Sequence, residues 1–328
     1  MLAPTAGARA KDRFCDRHGH PDNLKDVSLT RLGNIKPGRL GIFSGALAAQ
    51  PSTIQREVAA EIQELGYGTL WYGEAVGREA FAQASIFLSA TSKLVIASGI
   101  ANIWARDPMA MGAGGRALAE AWPDRFILGL GVSHAPAVAA RGHDYARPVS
   151  AMRDYLDQMV QAAWRGPEAP LPPIVLAALG PRMVGLAAER TAGAYPYFTT
   201  AEHIRLVREQ LGPEPFLAAD LPVVLARDRA EARTIGDVHT NLYLRLDNYR
   251  NNLLRLGWKP DELEPPGSDD LFDAVVAWGE IATVHERINA LLSAGADQVV
   301  LNLITRDRSV PYLAELRTLA SLNSVLAD

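Results

Sequence analysis

The sequence predicts a (β/α)8 TIM barrel, and three observations lead there. From Gly38 onward, short apolar runs alternate with amphipathic stretches of helical period. The runs are apolar on both faces, as parallel strands are when helices cover one side and a packed interior the other. About eight such units fit the regular part of the chain, which matches one barrel. The rival is a doubly wound open sheet. Against its dinucleotide-binding form, no Gly-x-Gly-x-x-Gly turn follows the first run.

The runs can be placed in order. The first is Arg39-Leu-Gly-Ile-Phe-Ser44. A helix follows, in which Val58, Ile62 and Leu65 recur at helical spacing and Gly66 stops the pattern. The second run is Thr69-Leu-Trp-Tyr72, with a helix over 80–90. The third is Lys93–Ser98, with a helix over 108–121. The fourth is Arg125–Leu130 and the fifth Ile174–Ala178. Later strands are expected over Ala194–Phe198, Phe216–Ala226 and Gln298–Leu303. Residues 228–278 are too long for one barrel helix and carry a polar break at Glu264-Pro-Pro-Gly-Ser268. They are expected as a helical insertion before the last strand.

Residues 1–36 lack any sustained period and are rich in charge, glycine, proline and histidine. They are expected as a flexible extension to a single barrel domain over 37–328, because too little apolar surface is available to offset ordering. His18 and His20 have no further ligands nearby in sequence, so solvated histidines are the simpler reading.

Composition narrows the function. The net charge of −4 offers no excess of cations for a nucleic-acid backbone. Cys15 is the sole cysteine, and no Cys/His spacing points to a metal. No apolar run approaches the ~20 residues of a membrane span, and the first residues lack a signal-peptide core. A cytoplasmic enzyme acting on a small molecule is expected.

In a barrel, chemistry gathers at the carboxyl ends of the strands. Glu74 and His134 are the titratable groups there, able to share acid/base work or, alternatively, to pair with Arg78 and to fill a loop. Gly129, Gly131, Val132 and Ser133 form a glycine-rich strand exit where a ligand can approach the backbone. At Gly180-Pro181-Arg182 the proline suits a helix start, which reads either as amides that bind an anion with the arginine as a charged fork, or as an ordinary helix start with a solvated arginine. Asn102 follows Ser98-Gly99-Ile100 and reads either as a contact to a ring edge or as a turn residue. Phe43, Trp104, Tyr195 and Tyr197 are candidate walls for a flat cofactor or an apolar substrate. His143 lies beyond the fourth run and can reach the mouth.

These stretches resemble the luciferase-like monooxygenase superfamily, and within it the actinobacterial oxidoreductases that depend on coenzyme F420, a deazaflavin. The resemblance is carried by EVAAEIQELGYGTLWYGEAVGREA, SKLVIASGIANIWARDP, RFILGLGVSH, LAALGPRMVGLAAERTAGAYPY and INALLSAGADQVVLNL, spread over positions 39–304. It implies a bacterial-luciferase-like barrel, usually dimeric, with the coenzyme ring at the strand ends. It places a bulge at Gly99–Ile100, often with a non-prolyl cis peptide, under the ring. Asn102 would lie beside the ring, Gly131 to His134 near the ring and tail, and Gly180 to Arg182 at the phosphate. Glu74 and His134 would occupy acid/base positions. Two positions depart from the pattern. Ala75 stands where some relatives have histidine, and His134 where they have glutamate, so the resemblance extends further for fold than for proton chemistry.

The leading expectation is an F420-dependent oxidoreductase that moves a hydride to or from a small carbonyl, alcohol or unsaturated compound. The alternative is a monooxygenase using reduced FMN and oxygen. A further alternative is a non-catalytic flavin-binding relative, since fold alone does not fix function.

Overall fold

Strands form where the apolar runs stand, in a computed structural model that describes residues 30–307 and 312–326. Most of the N-terminal segment, with Cys15, His18 and His20, lies outside the described residues. The strands are β1 (Leu40–Phe43), β2 (Thr69–Gly73), β3 (Val95–Asn102), β4 (Phe126–Gly131) and β5 (Ile174–Leu176). They continue with β6 (Gly193–Ala194), β7 (Phe216–Leu225), β8 (Ala277–Gly279) and β9 (Gln298–Leu303). Pairing runs parallel in the order β6-β5-β4-β3-β2-β1-β9-β7, and a β6–β7 pairing closes the ring. The chain is therefore a (β/α)8 TIM barrel with one extra strand.

Between the strands lie α1 (Ser52–Glu64), α2 (Ala80–Ala90), α3 (Pro108–Ala121), the short α4 (Ala135–Ala139), α5 (Pro148–Gln161), α6 (Pro181–Arg190) and α7 (Ala201–Leu211). Local chemistry starts several of them. Glu79 accepts from the Ala82 amide at the head of α2, and Asp107 from the Ala110 amide at the head of α3, where Pro108 opens the first turn. Thr200 caps α7 in the same way.

The segment after β7 holds α8 (Arg229–Leu244), α9 (Asp247–Arg255) and α10 (Asp269–Val275), capped by Asp228 at α8 and Ser268 at α10. It ends in β8, a strand the sequence pattern does not reveal, which extends the end of β7 through the pairs Val223–Ala277 and Leu225–Gly279. The barrel helix proper is α11 (Ile281–Ser293), and α12 (Leu313–Leu319) and α13 (Ser321–Val325) follow the last strand. None of the helices among the described residues is long and apolar enough to cross a membrane.

Alternation along each strand divides the apolar residues into two cores. Leu70, Tyr72 and Ile96 face the helices, while Trp71, Val95, Ala97, Ile127, Val175 and Val300 fill the barrel. The inner core does not stop at the strands. It continues through Tyr197 and Phe198 into Tyr249, Leu253, Leu263 and Phe272 of the insertion. The insertion is thus packed as part of the barrel interior. At the opposite end Gln298 ties the amino ends together: its Oε1 accepts from Trp71 Nε1 at 2.8 Å and its Nε2 donates to Pro37 O at 2.6 Å. Ile35 is buried in the same inner core, so the described part of the first 36 residues includes a packed side chain.

One expected strand is much shorter than its apolar pattern. Ala194–Phe198 contributes only Ala194 to β6. Pro196 has no amide to donate to a ladder, and Phe198 takes φ 53°, which turns the chain out of the sheet.

Candidate active site

A cavity of about 300 Å³ opens at the carboxyl ends of β3 to β6. One wall is the β4 exit, where Gly131, Val132, Ser133 and His134 face Ile100. The chain needs special residues to reach this wall. A Cβ on Gly129 would lie 1.7 Å from Ser98 O, and one on Gly131 would lie 2.5 Å from Ile100 Cγ2. Glycine therefore lets β4 approach the irregular part of β3. Ser133 takes φ 58° and swings the chain so that His134 stands at the head of α4.

The expected irregularity in β3 is present. Ser98 pairs with Leu128, the next pairing is Ala101 with Leu130, and the residues between bulge. The expected cis peptide at Gly99–Ile100 is a correction. Among the described residues the only cis bond is Pro265–Pro266, and the chain absorbs the extra residues of β3 by the register shift alone. Gly99 lies against Tyr195, whose Cε1 would be 3.0 Å from a Cβ there.

Glu74 lies outside the cavity lining and braces this bulge. Its amide donates to Ile100 O at 3.0 Å, and its carboxylate accepts from Asn102 N at 2.8 Å and Ala80 N at 3.0 Å. Arg106 completes its shell, with Nη1 at 3.0 Å from Oε2. The sequence offered Arg78 as a partner; that guanidinium instead donates to Gln50 O. Ser98 is buried and clasps Gly129, donating to its carbonyl at 3.1 Å and accepting from its amide at 3.0 Å. Asn102 takes a turn role, its Oδ1 accepting from Trp104 N at 2.9 Å. Trp104 Nε1 donates to Val132 O at 3.0 Å, and its ring faces a neighbouring cleft shared with His143. Phe43 meets the edge of Tyr197 at 5.5 Å without lining the cavity.

Among the residues that do line it, His134 is the titratable side chain on the strand ends. Burial lowers its pKa below the ordinary imidazole value, and a hydrogen bond with Asn248 partly restores it. The Tyr249 ring lies 5.7 Å away. Asn248 and Tyr249 belong to α9, so the insertion forms the roof over His134.

The other end of the cavity suits an anion. Gly180 is the cap residue of α6, Pro181 occupies its first turn, and no side chain caps this helix start. Arg182 stands beside it, and Arg255, also from α9, reaches across: its Nη2 lies 3.3 Å from the point where a Gly180 Cβ would be. Asn252 Oδ1 holds that Nη2 at 2.8 Å.

Tyr195 and Tyr197 form the floor. Tyr195 stacks on Trp71 at 4.5 Å and its hydroxyl donates to Asp220 Oδ1 at 3.3 Å. Asp220 is 1% exposed. Burial raises its pKa well above the usual carboxylate range, against the pull of hydrogen bonds from the Phe198 backbone, Tyr195 and Asn302.

Ten of the residues picked out in the sequence therefore meet in one cavity: Ile100, Gly131 to His134, Gly180 to Arg182, Tyr195 and Tyr197. Glu74, Ser98, Gly99, Asn102, Gly129, Phe43 and Trp104 surround or support it. Sequence reasoning missed Asn248, Tyr249 and Arg255, whose place depends on how the insertion folds back. It also missed Asp220, although a lone carboxylate inside the apolar run Phe216–Leu225 was a visible signal.

A largely apolar cavity with a glycine-lined wall and a cationic end can receive an apolar body that carries an anionic group. A Mycobacterium tuberculosis protein provisionally named a coenzyme F420-dependent oxidoreductase is 27% identical, over 80% of this chain and 94% of its own. An F420-dependent secondary alcohol dehydrogenase, solved with an F420–acetone adduct, superposes with TM-score 0.70 at 13% identity, over 89% of this chain and 100% of that one. The oxygenating constituent of 3,6-diketocamphane monooxygenase from Pseudomonas putida, solved with FMN, gives TM-score 0.67 at 14% identity, over 89% and 98%. At such identities the two structures speak for the fold. The family model for luciferase-like monooxygenases matches residues 39–298. With most of its length inside that match and the barrel closed around it, this chain belongs to the luciferase-like monooxygenase family.

Proposed function

We propose that this protein is a coenzyme F420-dependent oxidoreductase that transfers a hydride to or from a small organic carbonyl, alcohol or unsaturated compound. One observation carries the reading: a single cavity joins a glycine-lined wall, a half-buried histidine and a cationic helix start. The name of the mycobacterial relative supports the deazaflavin over FMN. The bound coenzyme would supply the hydride-carrying ring, which is chemistry no side chain here possesses.

The protein's own contribution is orientation and proton handling. The bulge of β3 and the β4 exit would hold the ring's face, with Ile100 and Gly131 in contact with it. Arg182, Arg255 and the start of α6 would hold its phosphate. His134, largely neutral because burial disfavours its charged form, would exchange a proton with the substrate. Tyr195, Tyr197 and Tyr249 would exclude water from the reacting atoms. We infer a homodimer from the resemblance carried by the barrel sequence.

The test is equilibrium binding of F420 and of FMN at matched salt, read by ring fluorescence. Preference for F420, weakened in Arg255→Ala together with a shallower salt dependence, is the expected result. Preference for FMN, with oxygen uptake when reduced flavin is supplied, would replace this reading with a monooxygenase. Binding of neither would favour a non-catalytic role.

A further inference from the structure

Beneath the cavity lies a chain of polar groups that neither the proton chemistry of His134 nor the anion end uses. Tyr197 is on its floor, 7% exposed, with its hydroxyl oxygen 2.6 Å from Asn302 Nδ2 and 3.1 Å from the Tyr243 hydroxyl. Asn302 is on β9 and Tyr243 on α8, so the strand and the insertion meet on one phenol. An amide nitrogen only donates, so the Tyr197 oxygen is the acceptor in the contact from Asn302. The Tyr243 hydroxyl is the second polar neighbour of that oxygen and can donate to it. When Tyr243 donates as Asn302 does, the Tyr197 oxygen keeps its proton for a third partner, and donation to it polarises that proton.

The surrounding rings hold the phenol in place. Phe43 meets it edge-on at 5.5 Å, Tyr243 lies at 5.0 Å and Tyr249 at 6.4 Å. A polar donor fixed in a largely apolar cavity selects a ligand with an oxygen to place there, because any other ligand leaves the donor unpaired.

Resting on the F420 reading for the overall reaction, we propose that Tyr197 donates a hydrogen bond to the reacting oxygen of a ketone or secondary alcohol, with Asn302 and Tyr243 as the residues that position it. The favoured substrate is thereby narrowed to an oxygen-bearing compound; an unsaturated hydrocarbon would leave the phenol unsatisfied. Burial keeps Tyr197 in its neutral, donating form. No proton need leave it: its part is to polarise the carbon–oxygen bond, while His134 handles the proton.

The vibrational spectrum of cyclohexanone added to the coenzyme-free protein tests this without turnover. The expected result is saturable binding with the carbonyl stretch moved to lower frequency. Tyr197→Phe, which keeps the ring, should abolish the shift and weaken binding by about tenfold or less. Tyr243→Phe should diminish the shift without abolishing it, which a purely structural role for the hydroxyls would not produce. An unshifted carbonyl, absence of saturable binding, or an equal shift in folded Tyr197→Phe would overturn the proposal. Coenzyme fluorescence is measured on the same samples. F420 binding without a shift would remove only Tyr197's role, and a shift without F420 binding would remove only the coenzyme reading.

Discussion

The Arg106 guanidinium closes over the Glu74 carboxylate, a pair in which the side chains are only 10% and 5% exposed. Glu74 simultaneously takes the amides of Ala80 and Asn102, so one residue joins the head of α2, the end of β3 and the loop before α3. A strand-end acid that looks catalytic in sequence is here the brace beneath the β3 bulge.

Glu74→Ala should cost about 3 kcal/mol of stability, because it leaves a buried guanidinium short of its partner. Glu79, 2.8 Å from Arg106, keeps the loss from being larger. Urea unfolding of both proteins reads the difference. A loss below about 1 kcal/mol would mean the pair contributes no more than an exposed one.

The two glycines of the β4 exit should fail differently when changed to alanine. At Gly129 the added methyl meets the Ser98 backbone at 1.7 Å, and strand separation is the only relief. Gly129→Ala should lose more than about 3 kcal/mol or fail to accumulate as folded protein. At Gly131 the methyl meets the Ile100 side chain, which can move into the cavity. Gly131→Ala should fold with a loss nearer 1 kcal/mol, within the usual cost of overpacking, while ring-coenzyme affinity falls. Equal melting of the two variants would contradict this.

His134 should set an acid limb on the pH dependence of kcat/KM. Burial lowers its pKa, so the limb is expected below the ordinary imidazole value of about 6.5. Asn248→Ala removes the hydrogen bond that raises that pKa and should move the limb further down. His134→Ala should reduce kcat more than coenzyme affinity. A limb unmoved in Asn248→Ala would separate the two residues functionally.

Asp220 ties stability to pH. Its folded pKa is raised by burial, so the folded chain holds a proton that the unfolded chain releases. Its contribution is full below the unfolded carboxylate pKa and is lost as pH rises through the folded value. Denaturation midpoints should therefore fall between about pH 4 and the folded pKa. Asp220→Asn mimics the protonated group and should flatten that slope. Parallel slopes in the two proteins would show that Asp220 does not titrate in this window.

Much of this molecule was legible in residue order because its strands announce themselves by apolar runs and its helices by period and cap. Phe216–Leu225, Gln298–Leu303 and the helix over 108–121 stand where the pattern puts them. The turns at Gly131–His134 and Gly180–Arg182 were visible for the same local reason: glycine, proline and a charged neighbour at a strand exit constrain the backbone wherever it lies.

Tertiary structure decided the rest. Whether Glu74 faces a ligand or Arg106 depends on a loop 32 residues away. Asn248, Tyr249 and Arg255 reach the cavity only because the insertion shares the barrel's inner core, a packing relation with no local signature. Residue order determined the barrel and its glycine-lined exit, since these follow from dihedral preference and alternation within a few residues. Which side chains face one another across the mouth was set by long-range packing, which no short window of sequence contains.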